Sequence, residues 1–229
     1  QLGLNNTANA FAAYSGGGDI VIRGESSRRI AVNIMGQATI KAGNGRIIVQ
    51  ANSTSTTNLD GANSHAFENI SFAGSPSLFE SYSSHSQAIS IIGLSTGTNA
   101  DSAGVSFLGG SSVTDMVISS QGEGGVFIAG RNSQTNAPPI RIRNITIHAV
   151  TASVVVEARG AGVGNDIAVL DFLSLNARFG ASNTLTSSAN IILRVDAISN
   201  LNGGNTVGFS TSGEAVSYTH LRAHETGRN

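Results

Sequence analysis

The chain has 229 residues, with 28 Gly, 3 Pro, no Cys and no Trp, and hydrophobic residues make up 40% of it. Charged residues reach only 12%, about half the usual share of a soluble domain, and 13 basic against 14 acidic side chains leave no field that would recruit nucleic acid or an anionic membrane. Without Cys there is no disulfide framework and no thiolate zinc site, and no apolar run approaches the ~20 residues that a membrane-spanning helix needs.

In chain order, the first feature is Gly16-Gly-Gly-Asp19, which leads into a strand and so reads as a turn, because a phosphate-binding loop would have to open a helix. From there one unit recurs: alternating branched apolar residues ending on a small residue. Its copies are Asp19 to Gly24, Arg46 to Ala51, Asn69 to Gly74, Ala88 to Gly93, Gly104 to Gly109, Gly125 to Gly130, Ser153 to Ala158 and Asn190 to Val195. Period-2 alternation points Ile47, Val49 and Ala51 to one face. It does the same for Ile191, Leu193, Val195 and Ala197, with Arg194 and Asp196 opposite. In Ile140-Arg-Ile-Arg143 the two isoleucines face inward and Arg141 and Arg143 outward; past Asn144 the register slips to Ile145 and Ile147, which predicts a bulge or corner. The small closing residues are expected at tight corners, where Gly supplies positive φ.

No stretch has useful helical periodicity; Ala8 to Tyr14 is too short. The expected fold is therefore all-β, a right-handed parallel β-helix, a solenoid in which coils bond only to the coils above and below, so that irregular loops bulge sideways without disturbing the stack. Coils of roughly 20 residues give about ten coils and, at ~4.8 Å each, a rod of about 50 Å. Residues 1 to 215 form one such repeat region. Residues 216 to 229, Val216-Ser-Tyr-Thr-His-Leu-Arg-Ala-His-Glu-Thr-Gly-Arg-Asn229, break the pattern and resemble the read-through of a transposase-type sequencing adapter; they are set aside as a non-native tail, and the repeat region is expected to be a piece of a longer chain.

Candidate sites are sparse. Glu157, Asp166, Asp171 and Asp196, with Arg159, Arg178 and Arg194, are residue types that a β-helical lyase or glycoside hydrolase would use, yet no local motif of those enzymes accompanies them, and solvated charges on a rod are the simpler reading. Ala161-Gly-Val-Gly-Asn-Asp-Ile-Ala-Val169 matches a calcium nonapeptide at Gly162, Gly164 and Asp166. A single degraded copy lacks the stacked ligands calcium needs, so Asp166 is a weak metal candidate and a turn is expected there. His65, His85 and His148 have no spaced partners and read as loop or surface side chains. Sequons stand at Asn5, Asn52, Asn69 and Asn144. Loops 52 to 65, 94 to 103 and 131 to 139 would project, and Arg141 and Arg143 are the candidate surface contacts for an acidic ligand.

Gly17-Gly-Asp-Ile-Val-Ile-Arg-Gly24, then Ala103-Gly-Val-Ser-Phe-Leu-Gly-Gly-Ser-Ser-Val-Thr-Asp115 followed by Gly124-Gly-Val-Phe-Ile-Ala-Gly130, resemble the repeats in the β-helical stalk of filamentous haemagglutinin-type exoproteins. Arg28, Arg29, Arg141, Arg143, Arg159 and Arg194 stand where that stalk carries uncharged residues. The resemblance implies a non-catalytic stalk or adhesin segment with no cofactor, secreted or held at the surface of a Gram-negative bacterium by two-partner secretion or as an autotransporter. Its partners would be an outer-membrane transporter during export, then host-cell or matrix glycans and proteins or other bacterial cells. The alternatives that share the fold are a β-helical carbohydrate-active enzyme and a phage tailspike or fibre segment.

Overall fold

The computed structural model describes residues 2–5, 11–55, 65–72, 75–97, 102–110, 116–133, 139–160, 170–172, 184–197 and 215–219. These residues form β-strands and turns with no helix, and the strands lie in three parallel sheets. Sheet A holds β1 (Leu2–Asn5), β4 (Val32–Met35), β7 (Phe67–Ile70), β10 (Val105–Leu108), β13 (Ile140–Arg143) and β16 (Leu170–Phe172). Sheet B holds β2 (Phe11–Tyr14), β5 (Ala38–Lys41), β8 (Ser77–Ser81), β11 (Met116–Ser120), β14 (Thr146–Ala149) and β17 (Thr184–Ser187). Sheet C holds β3 (Ile20–Ser26), β6 (Ile47–Ser53), β9 (Gln87–Ser95), β12 (Gly125–Asn132), β15 (Val154–Gly160), β18 (Ile191–Ala197) and β19 (Ala215–Thr219). From β1 to β18 each strand therefore pairs with the strand three positions on, and each pass of the chain lays one strand in A, one in B and one in C; β19 pairs with β18 directly.

Ile20, Ile47, Ile89, Val126, Val154 and Ile191 stand in one column, separated by between 27 and 42 residues. The described strands thus make six passes, with β19 continuing sheet C, in place of about ten coils of about 20 residues. Two of the eight sequence copies account for part of the overcount. Six of them fall on successive strands of sheet C, whereas the copies at Asn69 and Gly104 fall on sheet A and belong to passes already counted. The first four residues of the segment set aside as a tail, 216–219, lie in β19, opposite β18; the rest of that segment lies outside the described residues.

The three sheets enclose a core of Ile, Val, Phe, Met and Ala, with Phe67 and Phe107 in edge-to-face contact at 5.4 Å between ring centroids. Alternation holds along the long strands: Ile47, Val49, Ala51 and Ser53 face inward, as do Val154, Val156 and Ala158. The corner expected at Asn144 is present. Asn144 takes the left-handed conformation, φ 50°, between β13 and β14, and its side-chain amide donates to the Gly110 carbonyl of the previous pass.

The small residues of the repeat have a different purpose from the expected one. Gly24, Ala51, Gly93, Gly130 and Ala158 form one inward column of sheet C, and each strand runs two residues beyond it. Among the described glycines only Gly36 and Gly43 have positive φ. The column is small because strands entering sheet A cross it: a Cβ on Gly93 would lie 1.9 Å from the Gly104 carbonyl oxygen, and one on Gly130 would lie 2.4 Å from that of Pro139. Serines close the B-to-C corner. The buried Ser81 and Ser120 donate from Oγ to the Gly45 carbonyl at 2.7 Å and the Gly124 carbonyl at 2.6 Å, and the half-buried Ser187 donates to the Ala152 carbonyl at 2.6 Å, so turn carbonyls are satisfied by hydroxyls.

Candidate functional site

The three loops singled out from the sequence leave the fold at one corner. Residues 52–53, 94–95 and 131–132 still belong to β6, β9 and β12, and the chain then turns from sheet C to sheet A. Residues 56–64, 98–101 and 134–138 lie outside the described ones. Where the chain resumes, the corner is lined by buried polar groups: Ser55, His65, Ser102 and Asn132, with Glu68 and Ser106 beside them on sheet A.

His65 is fully buried, a correction to its reading as a loop or surface side chain. Its Nδ1 accepts the Ala103 N–H at 2.9 Å, which leaves the ring proton on Nε2. Nε2 lies 3.5 Å from Glu68 Oε1, and the His65 carbonyl accepts the Ala31 N–H at 3.3 Å. The Ala103 N–H thereby fixes the imidazole and the Ala31 N–H the backbone, and a carboxylate only 3% exposed lies beside Nε2 outside hydrogen-bond geometry. Asn132 braces the same corner, donating from Nδ2 to the Ser102 carbonyl at 3.3 Å.

Glu68 belongs to a column on the outward side of sheet A. Asn33, Glu68, Ser106, Arg141 and Asp171 are in register on five successive strands. Buried oxygens at Ser106 Oγ, Ser102 Oγ and Asn33 Oδ1 have no hydrogen-bond partner in the protein. The cluster can accept hydrogen bonds at a fixed carboxylate and donate them from hydroxyls. With Nδ1 engaged by a backbone N–H, His65 positions Glu68 and is not itself a base.

Arg141 and Arg143 do point outward, though both are half-buried, and Arg143 Nε is fully enclosed. Arg141 shares a column with Glu68, while Arg143 continues the neighbouring one, after Met35, Ile70 and Leu108. Of the carboxylates considered from the sequence, Glu157 and Asp196 lie on the neighbouring strands β15 and β18 of sheet C, where Glu157 forms an ion pair with Arg194 and Arg159 is in register with Asp196, whereas Asp171 is on sheet A. Asp166, with the nonapeptide-like segment, and Arg178 lie outside the described residues. Among the described residues no group of three or more His, Asp or Glu side chains is placed to hold a metal.

His85 is exposed; its Nδ1 accepts the Gln87 N–H at 3.2 Å and its Nε2 is 3.4 Å from Arg46 Nη1. Arg46 in turn grips Asp19 from the backbone N–H at 2.8 Å and from Nη2 at 2.5 Å, which holds the Asp19 carboxyl below its ordinary range. His148 lies on the outer side of sheet B, 2.6 Å from Thr186 Oγ1. Of the sequons, Asn69 and Asn144 are buried and closed to a glycosyltransferase, whereas Asn52 is half-buried on the outward side of sheet C.

Glu68 escapes the sequence pattern because the repeat copy there begins at Asn69. The strand is Phe67–Ile70, so Phe67 and Asn69 point inward and Phe72 is exposed. Aligning Phe67-Glu-Asn-Ile70 with Val105-Ser-Phe-Leu108, its actual neighbour, is the signal that would have found it. No family model matches the chain, and no curated protein and no solved structure matches it either.

Proposed function

We propose that residues 1 to 215 are a right-handed parallel β-helix serving as a stalk or adhesin segment of a secreted or surface-exposed bacterial exoprotein of the filamentous haemagglutinin type. The observation that carries this reading is the strand order: from β1 to β18 every strand bonds to the strand three positions away, so the body lengthens by adding passes and no pass needs a distant contact. Polar side chains support the same view, since Asp19, Ser81, Asn144 and Ser187 join one pass to the next. The C-to-A corner, with Arg141 outward on sheet A, is the surface offered to glycans or proteins. Among the described residues no helix is long and apolar enough to cross a membrane.

A carbohydrate-active enzyme has one observation in its favour, the column Glu68, Ser106, Arg141 and Asp171 on a single sheet. The test is a polysaccharide panel scored for binding and for bond cleavage, with and without calcium. Binding without turnover, reduced by Arg141→Ala, is the result expected of a stalk. Cleavage abolished by Glu68→Gln would replace it with an enzyme.

A further inference from the structure

The outward side of sheet C has the anatomy of a protein interface. Val21, Ile48, Ser90, Phe127, Val155 and Ile192 stack in register on β3, β6, β9, β12, β15 and β18, an apolar column running the length of these six strands. Beside it the middle of the next column is also apolar, Ile92 and Ala129, whereas its ends are charged, Arg23 at one and Glu157 with Arg194 at the other. Val21 is 46% exposed, and Leu94, 38% exposed, stands in a third, polar column with Glu25, Asn52, Arg131 and Arg159. An apolar centre with a polar rim is what distinguishes a contact surface from scattered exposed side chains, and parallel sheets are ordinarily covered on both sides.

We infer that this face binds a second copy of the same chain, sheet against sheet, about a two-fold axis parallel to the strands and passing between β9 and β12. That axis sets Val21 over Ile192, Ile48 over Val155 and Ser90 over Phe127. The last pairing decides the register. Ser90 is the one small side chain in the column and is itself buried, so it makes a hollow, and the two-fold brings the column's bulkiest side chain to it. Two copies aligned in the same direction would instead put Phe127 on Phe127 and leave facing hollows at Ser90. Six strands at ~4.8 Å and seven residues at ~3.3 Å cover about 600 Å² per copy, or about 1,200 Å² in all, which reaches the size of a stable specific interface. Arg194 arrives already paired with Glu157, which limits its repulsion with Arg23 of the opposite copy.

The chain has no cysteine, so the register can be read directly. Full-length protein is run in sedimentation equilibrium, and Ile48→Cys and Val155→Cys chains are treated with a short bis-maleimide, singly and mixed. The inference expects twice the 23.3 kDa chain mass, at least a tenfold weaker dimer for Phe127→Lys and for Val155→Lys with an unchanged β-sheet circular dichroism signal, and covalent dimers from the mixture but not from either single variant. A monomer at all concentrations, a trimer, or single variants that cross-link as well as the mixture would overturn it. If one lysine variant fails to fold, the other and the cross-linking pattern still decide.

Discussion

Sheets A and C use their outward positions in opposite ways. On sheet C the Val21 column is apolar and partly open to solvent, while on sheet A the Glu68 column is polar and closed at its middle: Glu68 is 3% exposed and Ser106 fully buried. Both faces depart from the simple rule of apolar inside and polar outside, in opposite directions, and both departures mark contact. A parallel sheet with an apolar outer column calls for a covering partner, and buried polar groups on a sheet call for a built hydrogen-bond set. Two glutamates make the contrast concrete. Glu157 on sheet C meets Arg194 at the surface, and Glu68 on sheet A meets a neutral imidazole out of water.

The largest effect is expected where the two sheets meet. Gly93→Val would push a side chain into the Gly104 carbonyl, and urea unfolding should show a loss of about 3 kcal/mol or more; full stability would mean that the crossing is looser than described. Next come the two glutamates. Glu68→Ala should cost about 2–3 kcal/mol, by leaving His65 Nε2–H without its carboxylate, and a double-mutant cycle with His65→Ala should show strong coupling. Glu157→Ala, at an exposed pair, should cost below about 1 kcal/mol by the same assay. Equal costs at the two positions would erase the difference between the faces.

A smaller change of opposite sign is expected inside sheet A. Asn69 points into the core between Ile34 and Phe107, and both its amide atoms are buried without a partner. Asn69→Val should therefore raise stability by about 1–2 kcal/mol, visible as a higher Tm. A fall in Tm would indicate an internal water that the amide holds. The smallest effect concerns pH. Arg46 depresses the Asp19 carboxyl below its ordinary 3.8, so the contribution of Asp19 is fully present above that value and is lost as pH falls through the lowered one. Asp19→Asn should differ from the parent at neutral pH and converge with it in strong acid. Lys41 runs the other way: Glu80, 2.9 Å away, raises it, so its contribution holds below pH 10.5 and fades as pH rises through the raised value.

Much of the fold could be read from the sequence because sheet C carries it. Apart from β19, its strands are seven to nine residues long, enough for alternation to declare both faces, as in Ile47–Ser53 and Val154–Gly160. Strands of sheets A and B are mostly four residues, too short for a period-2 pattern to fix register, and Phe67–Ile70 was displaced for that reason. The candidate site was less legible still. The outward side of Arg141 and Arg143 follows from alternation, but His65 reads as a loop or surface residue and Glu68, three residues on, carries no signal, because nothing local indicates that Ala31 lies on one side and Ala103 on the other.

The amino-acid sequence by itself determined the all-β class, the inward and outward sides of the long strands, and the corner at Asn144, because alternation and turn chemistry act between residues a few positions apart. Only the tertiary structure decided the three-sheet pass of 27 to 42 residues, the crossing that keeps Gly93 and Gly130 small, and the burial of Glu68 with His65. Those features depend on which residues of different passes lie on top of one another, and loops of variable length hide that correspondence until the strands are stacked.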